Sequence, residues 1–273
     1  MDTTDLSEMQ KLANRLVLEA GKMAFSMQSN YTIVTQKDEV DIATNADVAC
    51  EKFIISEIRK IFPSHNIYGE EGGDNKQESD YSWVIDPIDG TKEFARGSKD
   101  FCCLIAVEKD GQLVVGASYR NSWNSVVTAS LHNGAFLDDK RLAVSRTNEL
   151  KKALVGMDFG SHKGLCDEEM AQHQLQIAKK ILLNCYRIRP GWDDGLLLTN
   201  VAAGFQDAHI IMPNRVGWYD VAPGLLFVTE AGGTVTDFHG NNLANRDVSK
   251  GIVASNGKIH DRLLEFVEDY FDN

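Results

Sequence analysis

Residues 101–120 read FCCLIAVEKDGQLVVGASYR, and this stretch decides the fold of the first half of the chain. Two runs of apolar and β-branched residues flank Asp110-Gly111, a dipeptide that favours the tight turn of a β-hairpin. Residues 124–137, NSVVTASLHNGAFL, repeat the pattern around Asn133-Gly134. The four runs together predict consecutive antiparallel strands.

Two amphipathic helices are predicted ahead of these strands. Apolar residues recur at spacings of three and four from about residue 4 to residue 28, which is the period of one helix face. A second such pattern begins near Asn45 and ends before Pro63. The first half therefore predicts two helices packed on an antiparallel sheet.

The second half alternates between short apolar runs and longer helical patterns, which indicates an α/β arrangement. Strands are predicted at 153–160, 186–190, 207–212, 234–238 and 252–255, and helices at 167–184, 196–204, 222–233 and 257–271. No Pro/Gly/Ser-rich linker separates the halves. We therefore predict an α+β lobe over residues 1–150 and an α/β lobe over residues 151–273, with a shared interface.

Charge and hydropathy narrow the classes of function. The formal net charge is −12 over 273 residues, which argues against a broad attraction to nucleic acid or to an anionic membrane. The amino-terminal stretch lacks the apolar core of a signal peptide, and no run approaches the ~18 apolar residues of a membrane span. Five cysteines without CxxC spacing indicate neither a disulfide framework nor a zinc site. These features predict a cytoplasmic protein with no membrane and no nucleic acid polymer as partner.

Acidic residues stand at the ends of predicted elements. Glu70 follows a short run after the second helix, Asp86 and Asp89 follow an apolar strand, and Asp220 precedes Val-Ala-Pro at a predicted helix start. Taken singly, Asp and Glu at such places are caps and turn residues, with Asp41 or Asn45 capping the second helix and Asp220 capping the later one. Gathered at one sheet edge, several carboxylates repel unless a cation intervenes. A hard divalent cation with oxygen ligands would remove the conflict.

The turn after Asp86 is suited to binding a phosphate. Pro87 stiffens it, Ile88 can offer a backbone carbonyl, and Gly90 lets the backbone approach a ligand closely. Residues 91–96 are predicted to form a helical turn whose free N–H groups point at an anion. Because bound cations reverse the local sign of the charge, an acidic protein can hold phosphate here.

Four segments, in order, are similar to motifs of the inositol monophosphatase superfamily of Mg²⁺-dependent, lithium-sensitive phosphomonoesterases. They are DIATNAD (41–47), GEE (69–71), WVIDPIDGT (83–91) and WYDVAPGLLFVTEAGGTVTD (218–237). The resemblance implies a layered αβαβα sandwich of the sugar phosphatase type, with an antiparallel sheet in the first half and a mixed sheet in the second. It also implies a homodimer and a small phosphorylated metabolite as substrate.

The resemblance implies a role for each matching residue. Two or three Mg²⁺ ions would be held by Glu70, Asp86, the carbonyl of Ile88, Asp89 and Asp220. Phosphate would lie against Asp89, Gly90 and Thr91. Asp47 would hold the Thr91 hydroxyl, and Thr91 with Glu70 would orient and deprotonate the attacking water.

The segment ahead of the last acidic motif departs from the inositol-specific pattern. Trp192, Asp193 and Asp194 replace small residues, and we assign them to substrate selection. Ile211, Met212 and Pro213 stand where those enzymes carry a glutamate for inositol hydroxyls. Tyr219 separates Trp218 from Asp220, which are usually adjacent.

Several substrates stay open. GTKEF at 90–94 resembles the 3′(2′),5′-bisphosphate nucleotidase branch, in which Lys92 and Arg96 could hold a second phosphate. We place inositol monophosphate or a similar polyol phosphate narrowly first, because the chain lacks the insertions of that branch. Histidinol phosphate and sugar bisphosphates are further alternatives. A catalytically silent metal- or phosphate-binding regulatory protein is the alternative of a different class.

Overall fold

The computed structural model describes residues 3–37, 41–159, 166–191, 194–243 and 245–271. Both predicted amino-terminal helices are present within one or two residues of their predicted bounds. The helices of the described chain are α1 Thr3–Met27, α2 Asn45–Ile61, α3 Thr91–Ala95, α4 Glu168–Asn184, α5 Asp194–Ala202, α6 Trp218–Glu230 and α7 His260–Val267. No helix within these ranges combines the length and the apolar character needed to cross a membrane.

The strands form a small hairpin and two larger sheets. They are β1 Ile33–Gln36, β2 Ile42–Thr44, β3 Asn66–Gly69, β4 Gly73–Asn75, β5 Tyr81–Asp89, β6 Cys102–Lys109, β7 Gln112–Arg120, β8 Ser125–Ser130, β9 Gly134–Leu137, β10 Lys140–Arg141, β11 Leu154–Met157, β12 Arg187–Arg189, β13 Ala208–Ile211, β14 Thr234–Thr236 and β15 Ile252–Ser255. The second-half strands and helices lie where the alternating pattern predicts them.

The first large sheet has the order β10-β9-β8-β7-β6-β5-β3-β4. Both predicted hairpins are confirmed by the pairing of Lys109 with Gln112 and of Ser130 with Gly134. Asp110 and Gly111 both have positive φ, 49° and 78°, as a two-residue type I′ turn requires. All neighbouring pairs are antiparallel except β3 with β5, which run parallel. This exception brings the ends of β3 and β5 together at one edge.

The second sheet has the order β12-β11-β13-β15-β14 and is mixed, as predicted. Strand β11 pairs in parallel with β12 and β13, whereas β15 is antiparallel to β13 and β14. Parallel neighbours need a crossover connection, and α4 and α5 provide the helical ones.

The helices and sheets stack in five layers. Helices α1 and α2 share one apolar core with the first sheet, and α5 and α6 share a second core with the other face of that sheet and with β13 and β15. Helices α4 and α7 cover the outer face of the second sheet. The predicted αβαβα sandwich is confirmed. The lobe boundary near residue 150 remains a prediction: the two sheets lie on either side of it, while α5 and α6 pack against both.

Strand β5 shows why the layers form. Trp83 and Ile85 face the α1/α2 core, while Val84 between them faces the α5/α6 core, and all three are buried. Alternate residues of a strand point to opposite faces, so a strand that is apolar throughout needs cover on both sides. Gly116 on β7 allows α6 to lie close, because a Cβ there would stand 3.2 Å from the carbonyl oxygen of Pro223.

The two predicted cap assignments are wrong. Helix α2 is capped by Thr44 rather than by Asp41 or Asn45, and α6 is preceded by Gly217, so that Asp220 is its third residue. The Asp220 carboxylate accepts the Gly217 N–H at 2.7 Å, which satisfies a donor ahead of the first turn. Helix α6 starts earlier than predicted, and Pro223 lies in its second turn.

Candidate active site

The predicted site residues converge on one cleft of about 170 Å³. Residues Gly69 and Ile85 are paired in the parallel strands β3 and β5, so Glu70 and Asp86 follow them side by side. The start of α6 brings Asp220 to the same place. The cleft is lined by Asp41, Glu70, Asp86, Ile88, Asp89, Gly90, Thr91, Lys92, Glu93, Arg215, Val216 and Asp220.

The turn at the end of β5 is shaped by its own side chains. Asp86 Oδ1 accepts the Ile88 N–H at 2.9 Å, and pairing with β6 is irregular between Asp86 and Asp89. Gly90 has a φ of 90°, and a Cβ there would lie 3.4 Å from the Asp100 carbonyl oxygen. A left-handed residue packed against backbone favours glycine. Helix α3 begins immediately after it, so the predicted helical turn is present.

Asp47 and Thr91 lie within hydrogen-bond distance of each other. Thr91 Oγ1 is 3.1 Å from Asp47 Oδ1 and 2.8 Å from the Ile88 carbonyl oxygen. The other Asp47 oxygen accepts the Thr44 N–H at 2.8 Å and also the Thr44 hydroxyl. Burial raises the pKa of Asp47, and the hydrogen bonds from Thr44 and Thr91 oppose that shift. The carboxylate that caps α2 thus also orients the Thr91 side chain.

The carboxylates repel one another, as predicted. Asp86 is 1% exposed. Its pKa is raised first by burial and then by the charges of Glu70, Asp89 and Asp220. Burial likewise raises the pKa of Glu70 to about 7, against the opposing effect of the Lys37 ammonium.

Lys37 is a contact that the sequence analysis missed. Its Nζ atom lies 2.7 Å from Glu70 Oε1 and 2.6 Å from Glu71 Oε1. Burial alone would lower the pKa of Lys37, but the two carboxylates more than offset this and raise it. Nothing in the local sequence links residues 37 and 70, so spacing offers no signal for this pair.

The donor set fits a hard divalent cation, although the carboxylates are engaged with protein donors. Glu70 binds Lys37, while Asp89 Oδ2 accepts the Gly195 N–H at 3.0 Å and the Cys102 thiol at 3.4 Å. Within the described ranges, no three His, Cys, Asp or Glu side chains already form a closed ligand group. Oxygen donors of one charge, buried and mutually repelling, are nevertheless the chemistry that Mg²⁺ requires. Gly195, near the start of α5, was also missed.

The substrate-selecting assignments are only partly placed. Trp192 and Asp193 lie outside the described residues, and of Asp194 the structure shows only that α5 begins there. Ile211 and Met212 are buried in the apolar cores. Lys92 lines the cleft, whereas Arg96 is exposed and does not. Arg215, which the sequence analysis did not single out, does line it.

Comparison with known families agrees with this site. The model of the inositol monophosphatase family matches residues 5–271. The chain belongs to the inositol monophosphatase family. The resemblance inferred from the four motifs is therefore confirmed over nearly the whole chain, and family membership supports phosphatase chemistry at the cleft.

Relatives within the inositol monophosphatase family carry different names. The Nus factor SuhB of Pseudomonas aeruginosa is 33% identical over 271 residues, which cover 97% of each chain. The fructose-1,6-bisphosphatase/inositol-1-monophosphatase of Thermotoga maritima is 34% identical over 229 residues, covering 84% of this chain and 83% of the relative. The crystal structure of the extragenic suppressor protein suhB from Bartonella henselae has a TM-score of 0.87 at 27% identity, covering 96% of this chain and 98% of that one.

Proposed function

We propose that this protein is a Mg²⁺-dependent phosphomonoesterase that hydrolyses a small phosphate ester by direct attack of water. The observation that carries the proposal is the convergence of Glu70, Asp86, Asp89 and Asp220 with the start of α3 in one cleft. When bound, Mg²⁺ would offset the carboxylate charge, lower the pKa of water and stabilise the charge that develops on the phosphoryl oxygens.

Each part of the cleft has a proposed task. The four carboxylates and the Ile88 carbonyl would hold Mg²⁺, and the N–H groups of Gly90 and Thr91 would contact the phosphate. The Thr91 hydroxyl, oriented by Asp47 at 3.1 Å, would position the attacking water, and Glu70 would accept its proton. Positioning and charge neutralisation would supply most of the rate enhancement.

A polyol phosphate such as inositol monophosphate is the substrate class we place first, with 3′(2′),5′-bisphosphate nucleotides, histidinol phosphate and sugar bisphosphates as alternatives. The names of the relatives support both a monophosphate and a bisphosphate. The proposal includes sensitivity to lithium, a homodimeric assembly and a cytoplasmic location, each of which is expected from family resemblance.

A panel of polyol, sugar, nucleotide and amino-alcohol phosphates tests the proposal by phosphate release with Mg²⁺, with chelator and with Asp86→Asn. We expect release that chelator abolishes and that Asp86→Asn reduces by several orders of magnitude. The rank order of kcat/KM identifies the substrate class, because it reports differential binding of the transition state.

A regulatory binding protein is the second candidate, because a relative of equal length is named as a Nus factor. Absence of release from every ester in the panel, with wild-type protein that still binds Mg²⁺, would favour it. The presence of Asp47, Glu70, Asp86, Asp89, Thr91 and Asp220 together argues for catalysis, because a silent relative is expected to have lost at least one.

A further inference from the structure

The loop between β13 and α6 presents an arginine to the cleft. The Arg215 N–H donates to the Met212 carbonyl at 3.2 Å, and Asn214 has a φ of 55° after Pro213. Proline followed by a left-handed asparagine is the pattern of a type II turn. The turn holds Arg215 in the cleft wall five residues ahead of Asp220.

The other cations near the cleft already have acceptors. Lys37 binds Glu70 and Glu71, and Lys92 Nζ lies 4.0 Å from Asp41 Oδ1. Arg96 donates to the Lys92 carbonyl at 3.1 Å and is exposed. These groups are therefore not available without breaking an existing contact.

Arg215 differs from them. Its Nε atom is buried, and within the part of the chain that the structure describes this atom has no hydrogen-bond acceptor. No described carboxylate forms an ion pair with the guanidinium either, although Asp41, Glu93 and Asp220 line the same cleft. A buried donor without an acceptor is costly, so an acceptor supplied by a ligand would be favourable.

We infer that Arg215 is a specificity-determining residue that binds a second anionic group, a phosphate or a carboxylate, of the ester hydrolysed in this cleft. This inference rests on the proposed function. The planar guanidinium matches two oxygens of such a group at once. The phosphate that is cleaved is assigned to Gly90 and Thr91, on a different loop, so Arg215 recognises another part of the molecule.

The charge of the cleft wall explains why an arginine is needed. Asp41 and Glu93 would repel a second anion, and the guanidinium is the cleft-lining cation that can compensate. The favoured substrate is therefore a bisphosphate or a phosphorylated acid rather than a neutral polyol monophosphate. This deepens the proposed function and reverses the order of its substrates.

Three esters with the same carbon chain test the inference: sorbitol 6-phosphate, 6-phosphogluconate and sorbitol 1,6-bisphosphate. We expect wild-type kcat/KM to favour at least one of the two esters with a second anionic group over sorbitol 6-phosphate. In Arg215→Gln that preference should fall at least tenfold, and Arg215→Lys, which keeps the charge without the planar fork, should lie between. The two doubly anionic esters show whether phosphate or carboxylate is recognised.

Arg262→Gln is the matched control, because Arg262 is an exposed arginine of α7 that pairs with Glu265; the preference should be the same as in wild type. An equal loss on all three esters in Arg215→Gln would place Arg215 at the cleaved phosphate and overturn the inference. A wild-type preference for sorbitol 6-phosphate would overturn it as well. If Arg215→Gln does not fold by circular dichroism, Arg215→Lys carries the comparison.

Calorimetric titration of the three esters with Mg²⁺ present separates the inference from the proposed function. If no ester releases phosphate, the proposed function fails, and binding alone decides the role of Arg215. Tighter wild-type binding of a doubly anionic ester, lost in Arg215→Gln, supports the inference. Equal affinities for all three esters contradict it.

Discussion

Trp218 Nε1, at the first residue of α6, donates a 2.8 Å hydrogen bond to Glu108 Oε1 on β6. The second oxygen of this buried carboxylate accepts from Arg246 Nε at 3.0 Å and Nη2 at 2.6 Å, and the Arg246 guanidinium lies over the Tyr68 ring. Tyr68 precedes Gly69-Glu70, and Trp218 precedes Tyr219-Asp220. Glu108 therefore ties together the segments that carry two of the proposed metal ligands.

Glu108→Ala should destabilise the fold by about 3 kcal/mol, because it leaves a buried indole N–H and a guanidinium without their acceptor. Glu108→Gln should cost less, since the amide oxygen can still accept from Trp218. Both variants should weaken Mg²⁺ binding, because the start of α6 positions Asp220. Urea unfolding and a calorimetric Mg²⁺ titration measure the two effects, and unchanged Mg²⁺ affinity in both variants would show that the contact is structural only.

Asp86→Asn should make the metal-free protein more stable while it abolishes phosphate release. The buried Asp86 carboxylate is opposed by Glu70, Asp89 and Asp220, and an amide of the same shape removes that repulsion and still accepts the Ile88 N–H. We expect a gain of about 1 kcal/mol in unfolding free energy with chelator present, within the range of substitutions that trade function for stability. With Mg²⁺, wild type should gain stability and the variant should not. A less stable metal-free variant would show that the carboxylates do not repel.

Gly195→Ala should lower kcat/KM by about a hundredfold through displacement of Asp89. A Cβ at Gly195 would stand 2.6 Å from Asp89 Oδ2 and 2.9 Å from Leu104 Cδ1, so the carboxylate or α5 has to move. Gly191→Ala is the matched control, since its Cβ would meet only the Leu197 side chain. Equal losses in the two variants would contradict a specific role of the Gly195–Asp89 contact.

His260 should make the fold sensitive to acid. Thr236 Oγ1 donates to the Asp237 carbonyl and lies 3.0 Å from His260 Nε2, so Nε2 carries the proton and Nδ1 accepts from Ser255 Oγ at 2.8 Å. Burial lowers the pKa of His260 in spite of Asp261. A histidine whose pKa is lower in the folded state binds a proton more readily after unfolding, so stability falls as the pH drops below about 6.5.

The His260 effect is isolated by comparison with His260→Gln, because the raised pKa values of Glu70 and Asp86 act in the opposite direction in metal-free protein. Urea unfolding from pH 7.5 to 5 should show a steeper loss of stability in wild type than in the variant. Parallel pH profiles would rule out His260 as the acid-sensitive group.

The elements that were predicted correctly depend on interactions close in sequence. The hairpin at Asp110-Gly111 follows from two residues that tolerate positive φ, and α1 follows from apolar residues one turn apart. The convergence of Glu70, Asp86, Asp89 and Asp220 was predicted as well, because their repulsion suggested a shared cation. The caps failed: Thr44 and Gly217 precede α2 and α6, and local composition favoured Asp41 or Asn45 and Asp220 equally well.

The sequence by itself determined the two periodicities, the order of the layers and the acidic motifs, since these rest on the pattern of apolar residues and on residue chemistry. Only the tertiary structure decided that β3 runs parallel to β5, that α6 begins at Trp218 and that Arg215 enters the cleft. These outcomes depend on contacts between distant segments, such as the 110 residues that separate Glu108 from Trp218. Local propensity carries no record of such pairs, because their energy exists only once the core has brought the segments together.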